Sequence, residues 1–173
     1  LAKTRRGTRC VVVSDSLFSM DVDYADVERL AALKVKYGFL LVLDEAHATL
    51  VCGARGGGLA QARGRCADVD VHVGTLSKAI GAHGGFVACS REMKRFLVSR
   101  ARGQMFSTAL PAPVVAAALE SLRVFADEPE RRVKLWSNID RFNAALATSP
   151  SVHMAALTSP IGSLIIGESR DAL

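Results

Sequence analysis

Phe39-Leu40-Leu41-Val42-Leu43-Asp44-Glu45-Ala46-His47 sets five apolar residues in a row ahead of two carboxylates, a small residue and an imidazole. A run this short and this apolar has the pattern of a strand covered on both faces, as strands of parallel sheets are. Asp44 then stands at the carboxyl end of that strand, the edge where open α/β sheets place ligand contacts. Upstream, Cys10-Val11-Val12-Val13-Ser14 is a second run of the same kind. Between the two, Tyr24 to Tyr37 puts Val27, Leu30, Ala31 and Leu33 near one side and Asp26, Glu28, Arg29, Lys34 and Lys36 largely opposite, which is helical spacing. The three segments predict a strand-helix-strand unit.

Further strands are predicted at Val69–Val73 and Gly85–Cys89, both buried, with the polar loop Gly74–Gly84 between them. Ser90 has the chemistry of an N-cap for a helix whose stripe is Met93, Phe96 and Leu97 and whose basic end is Arg100 and Arg102. Pro111 and Pro113 open another helix through Val114, Ala118, Leu122 and Phe125. A last helix, about Pro129 to Leu146, has a partly polar stripe that includes Asn143. Thr148–Pro160, with two prolines, reads as a linker, and Ser163–Gly167 as a new strand. The expected organisation is α/β, with 1–150 as part of a large domain and 151–173 as a linker and the first strand of a C-terminal domain. The chain begins at Leu1 and is expected to be a fragment of something longer.

Composition removes several classes. Half of the 173 residues are hydrophobic and 23% are charged, the balance of a globular domain with a core. No apolar run nears the roughly 20 residues of a membrane helix, so no membrane partner is expected. The net charge of +5 is spread along the chain and not gathered into a basic block, so neither is nucleic acid. The four cysteines, Cys10, Cys52, Cys66 and Cys89, form no CxxC pair, which favours reduced thiols, a cytoplasmic location and no metal site.

Two places carry chemistry. Lys78, in Gly74-Thr75-Leu76-Ser77-Lys78-Ala79-Ile80-Gly81, lies among hydroxyls and small residues just after a strand. A lysine kept near apolar strands forms a Schiff base with a carbonyl more readily, and neighbouring hydroxyls can hold a phosphate. The plain alternative is a helix-start lysine at a sheet edge. Asp44 calls for a cationic partner such as a protonated pyridine nitrogen, and His47 is placed to face the same ligand. The plain alternative there is an acid capping the next turn. Asp44-Glu45-Ala46-His47 also spells the signature of a DEAH helicase, but no GxxxxGK[ST] phosphate loop accompanies it.

Taken together, Leu17-Phe18-Ser19-Met20-Asp21-Val22-Asp23, Asp44-Glu45-Ala46-His47-Ala48, Gly74-Thr75-Leu76-Ser77-Lys78-Ala79 and Phe106-Ser107-Thr108-Ala109-Leu110-Pro111 closely resemble the α-oxoamine synthases, from about Val11 to Gly167. The wording is most similar to the plant-type branch that joins L-alanine to pimeloyl-CoA in biotin synthesis, with Val51-Cys52-Gly53 ahead of a triple glycine as the closest likeness. The resemblance implies a fold type I transferase dependent on pyridoxal 5′-phosphate, with a mixed, mostly parallel sheet and flanking helices. It implies that Lys78 and His47 are catalytic: Lys78 holds the cofactor as a Schiff base and moves the α-proton, and His47 bonds the ring's phenolic oxygen. Asp44 pairs with the ring nitrogen, and Thr75 binds the phosphate. Ser19 lies on the phosphate or phenolic side. Ser107 and Thr108 reach the phosphate of a neighbouring subunit, so a homodimer is implied, with acyl-CoA and amino-acid substrates.

The sister branches, which use glycine, and a non-catalytic fragment remain alternatives. The plant likeness adds a peroxisomal location. Arg100 or Arg102 would meet CoA phosphates or stand as surface arginines. Val22, Ala48 and Leu50 replace glycines common in the family, so strained or reshaped turns are expected there. The segment with the ring-stacking histidine and most of the C-terminal domain lie outside this chain, and the 173 residues alone are expected to bind cofactor poorly and not to turn over.

Overall fold

A computed structural model describes residues 8–149, 152–167 and 170. Four strands form one sheet in the order β1 (Val11–Asp15), β2 (Leu40–Asp44), β3 (Val71–Thr75), β4 (Gly85–Cys89). The first three run parallel and β4 returns antiparallel to β3. The mixed, mostly parallel α/β arrangement is the expected one, and each predicted strand from Cys10 to Cys89 is present within two residues of its expected place.

α1 (Val27–Tyr37) shows why a helix forms between β1 and β2. The Asp26 carboxylate accepts from Arg29 N at 2.9 Å, and Glu28 opens the first turn while Lys34 and Lys36 close the last. Gly38, at φ +66°, ends it in the left-handed conformation and donates to Lys34 O. The helix starts three residues later than its periodicity predicts, because Ala25 N is spent on Ser16 O and Asp26 takes the cap.

α1 is also tied down at its far end. Lys34 Nζ reaches Asp70 Oδ2 at 2.6 Å and Asp68 O at 2.8 Å, and the same Asp70 oxygen accepts from Leu41 N at 2.7 Å. Partial burial alone would raise Asp70, but Lys34 and the Leu41 amide outweigh it and hold the carboxyl below its ordinary 3.8. A depressed folded value means that this stabilisation is present above about pH 4 and is lost as the pH falls through the folded value. Asp70→Ala should therefore lower the unfolding free energy by about 2 kcal/mol near neutrality. The gap between wild type and variant should close in acid; equal stability at pH 7 would contradict this account.

The core lies on one face of the sheet. Leu41 and Leu43 of β2 are fully buried there against Leu17, Val27, Val51 and the short α2 (Leu59–Ala62), with Leu135 and Trp136 of α6 (Glu130–Ala147) alongside. Register puts Val11 beside Leu40 and Val13 beside Val42 on the opposite face, and Val11, Val13 and Leu40 are 56%, 68% and 42% exposed. Burial on both faces was expected and is not found, because α1, α2 and α6 all pack on the same side. β4 is likewise largely exposed. α3 (Arg91–Arg100) stands off the open face across a cavity of about 510 Å³ lined by Val73, Val87, Leu97 and Val98. Ser90 caps it as predicted, accepting from Met93 N, but its apolar stripe is not buried.

Of the helices after it, α5 (Ala112–Asp127, with Pro111 at its N-cap position) and α6 agree with the proline and periodicity signals, whereas the four-residue α4 (Arg102–Met105) was not expected. Ser163–Gly167, expected as a strand, has no ladder partner among the described residues, and Leu164, Ile165 and Ile166 are exposed. An apolar run makes a strand only where another strand supplies its hydrogen bonds.

Candidate active site

Three strand ends assemble the site. Asp15 and Asp44 are register partners at the carboxyl ends of β1 and β2, on one sheet face, and Thr75 ends β3 on that same face. The sheet's period of two therefore aims all three to one side of one edge. Asp44 Oδ1 accepts from Ala46 N at 2.8 Å, which turns the chain sharply after β2. Asp44 Oδ2 has no hydrogen-bond partner among the described residues.

His47 lies on that turn and is partly buried. Desolvation is the chief cause that lowers its pKa below 6.5; the Lys78 charge pushes the same way, while Asp15 and Asp44 push back. One imidazole thus feels an amine and two carboxylates, which places Lys78, Asp15 and Asp44 around it. With the folded value depressed, the unfolded chain binds more protons between the two values. The stability that His47 contributes is complete above about pH 6.5 and is lost as the pH falls below it. An NMR titration of His47 should give a midpoint below 6.5 that rises in Lys78→Met and falls further in Asp15→Asn; an ordinary, unresponsive midpoint would separate His47 from this cluster.

Lys78 itself is exposed, so the expectation of a lysine kept among apolar strands is not met; the buried apolar neighbour is Ile80. The reason is the loop's own closure. Leu76 N donates to Gly84 O, Ala82 N to Leu76 O and Gly81 N to Lys78 O, which turns residues 77–79 outward. Lys78 has no carboxylate within ion-pair distance among the described residues. Beside it, Thr75 Oγ1 donates to Gly84 O at 3.1 Å, accepts from Ser77 N and lies 2.7 Å from Ser77 Oγ, so two hydroxyls face one another below the lysine loop.

The remaining predicted residues are farther out. Ser19 is exposed on the turn after β1, a turn anchored by Ser16 N on Asp44 O at 2.8 Å. Ser107 and Thr108 are exposed beyond α4 and make no hydrogen bond among the described residues, although Leu110 lies against Gly84 at the end of the lysine loop. Arg100 and Arg102 are exposed, and Arg102 stacks over Phe106. Two of the three glycine replacements are strained as expected: Val22 and Leu50 both have φ +62°. Ala48 is not strained; it is fully buried in the core.

Asp15 has no place in the sequence reading, and Ser77 and Glu45 stand in the quoted motifs without a role of their own. Asp15 follows the β1 run as Asp44 follows β2, so the same acid-after-strand signal could have found it. Glu45 points away from the site. It is 3% exposed, and its two oxygens accept from Leu59 N and Ala60 N at the start of α2. The four letters that spell a helicase signature thus hold one open carboxylate and one structural one.

A free amine, a free carboxylate oxygen, an imidazole and paired hydroxyls at one edge suit a ligand with a carbonyl, a cationic ring nitrogen, a phenolic oxygen and a phosphate. Pyridoxal 5′-phosphate has these four groups. Among the described residues, no group of His, Cys, Asp and Glu could hold a metal, and no helix is long and apolar enough to cross a membrane.

The chain is similar to known proteins over most of its length. The chain is 48% identical to an 8-amino-7-oxononanoate synthase of Arabidopsis thaliana over 95% of its own length and 33% of that protein. A serine palmitoyltransferase from S. paucimobilis, solved with a bound PLP-myriocin aldimine, superposes with a TM-score of 0.88 at 26% identity, over 98% of this chain and 44% of that one. An 8-amino-7-oxononanoate synthase from Francisella tularensis gives 0.76 at 26% identity, over 95% of this chain and 48% of that one. The chain thus spans between a third and a half of these proteins. Since residues 1–169 match the family described as aminotransferase class I and II, the chain belongs to that family.

Proposed function

We propose that a protein carrying this chain uses pyridoxal 5′-phosphate to join an amino acid to an acyl-CoA with loss of carbon dioxide, and that its substrates are L-alanine and pimeloyl-CoA, the product being 8-amino-7-oxononanoate. The observation that carries the reading is a Lys78 amine and an Asp44 oxygen, neither with a partner among the described residues, both near enough to His47 to act on its charge. The choice of substrates is supported by 48% identity to a relative named for that product.

When bound, the cofactor supplies an electron sink for the pair left on the amino acid's α-carbon. Asp44 keeps its ring nitrogen protonated, because a carboxylate held on the sheet edge favours the cation beside it. His47, with its pKa lowered, is neutral at physiological pH and can donate one ring N–H to the phenolic oxygen without adding charge. Lys78 would hold the cofactor through its carbonyl, and its amine would serve as the base that takes the α-proton. Thr75 holds the phosphate with Ser77 beside it, and Ser19 approaches from the turn after β1. Ser107 and Thr108 are left for a phosphate in a second copy, which makes a homodimer part of the proposal. The division of the chain at about residue 150 into a large-domain part and a C-terminal part is proposed too, supported by the lack of sheet pairing after α6 among the described residues.

The intact protein is to be mixed with pyridoxal 5′-phosphate, reduced with borohydride and mapped by peptide mass. Label on Lys78, together with CoA release from L-alanine and pimeloyl-CoA, is the expected result. Label on another lysine would overturn the site, and turnover of glycine but not alanine would overturn the substrate choice.

A further inference from the structure

The turn that presents Ser19 is held by residues far along the chain. Leu17 bridges to Tyr24 and Phe18 N donates to Asp23 O at 2.9 Å, which closes a tight loop over Phe18–Asp23. Near its tip, Val22 sits at φ +62°, a conformation a β-branched residue resists. A strained residue of this kind persists only where its surroundings over-determine it, and such residues gather at ligand clamps.

The surroundings here are the segment 157–163. Tyr24 Oη donates to Thr158 O at 2.8 Å, and Ser163 Oγ donates to Met20 O at 2.5 Å. The segment is itself fixed. Asn143 of α6 pairs with Leu157 in both directions, its Nδ2 on Leu157 O at 2.9 Å and its Oδ1 accepting from Leu157 N at 2.7 Å. Ser159 is fully buried and accepts from Ile161 N, while Ile161 packs on the core. Two cross-links therefore run from an anchored strap to the turn that carries Ser19, one at the adjacent Met20 and one at Tyr24 at the base of the loop. The Tyr24 hydroxyl remains a donor across the working range, because burial first and Cys52 second push its pKa up to about 12.

We propose that Tyr24 and Ser163 are positioning residues that clamp the 17–24 turn and so hold Ser19 in place for the cofactor. The proposal rests on the cofactor reading above and adds the strap that sets the geometry. Neither residue touches the cofactor; each acts through the turn.

The test uses the intact protein, with Tyr24→Phe and Ser163→Ala made singly in the wild-type and the Ser19→Ala backgrounds. Each is expected to weaken pyridoxal 5′-phosphate affinity about fivefold, the worth of one net hydrogen bond, and to speed hydrogen exchange at the Phe18 amide. In the Ser19→Ala background the same changes should cost less than about twofold, because their effect passes through Ser19. Equal weakening in both backgrounds, or Phe18 exchange unchanged, overturns the clamp even where Lys78 is labelled normally. Failure of the wild type to fix cofactor on Lys78 overturns the cofactor reading and the clamp with it.

Discussion

Lys78→Ala in the intact protein is expected to lower kcat about ten-thousandfold, the upper range for loss of a positioned general base, and to abolish borohydride labelling. The same side chain serves twice in the proposed chemistry, in holding the cofactor and in taking the α-proton, so nothing else at the edge replaces it. In that chemistry His47 would bond the phenolic oxygen and Asp44 would be taken by the ring nitrogen. Folding should not suffer. Lys78 is exposed and pairs with no carboxylate among the described residues, so its removal should shift stability by no more than about 0.5 kcal/mol. Steady-state rates and thermal unfolding of the same preparation separate the two effects. Activity retained within tenfold would show that the catalytic amine lies elsewhere.

Glu45→Ala is expected to act in the opposite way, on stability, by about 3 kcal/mol. The carboxylate is buried and bonds Leu59 N at 2.8 Å and Ala60 N at 2.9 Å, two of the orphan donors at the start of α2. Alanine leaves both amides without a partner away from water and opens a cavity beneath them. Gly58 shows how tight the fit is: a Cβ there would lie 2.5 Å from the Glu45 carboxyl carbon. No relaxation of that loop can therefore bring another acceptor in without moving the backbone. Glu45→Gln keeps one acceptor oxygen and should cost less than Glu45→Ala. Denaturant unfolding measures both, and a loss below about 1 kcal/mol for alanine would show that the two amides find water instead.

Asp44 and Glu45 are adjacent, and their contrast shows how far local sequence reaches. A five-residue apolar run ended by an acid locates a strand end, and strand ends are where a parallel sheet offers ligand contacts. Asp44, His47 and Lys78 could be picked out on those grounds because each lies within a few residues of its strand. Sequence order alone does not tell which of two neighbouring carboxylates stays open. Glu45 is taken by backbone amides fourteen and fifteen residues on, after a loop that turns through positive φ at Gly53, Gly56 and Gly58.

By itself, the sequence determined the strands from Cys10 to Cys89, the cap at Ser90 and the helix opening at Pro111 and Pro113, since each depends on local backbone chemistry and side-chain period. The strain at Val22 and Leu50 followed from the family resemblance, whose glycines they replace, and Asp26, read as part of the helix's polar face, is its cap. Only the tertiary structure decided that β4 runs antiparallel, because an apolar alternation reads the same in either direction. The same holds for the one-sided core, since the covering of a sheet face depends on where distant helices pack. It also left Ser163–Gly167 without a ladder and Lys78 on an outward loop. The contact of Ser163 with Met20 spans 143 positions, and no local pattern encodes a hydrogen bond made only when folding closes so long a loop.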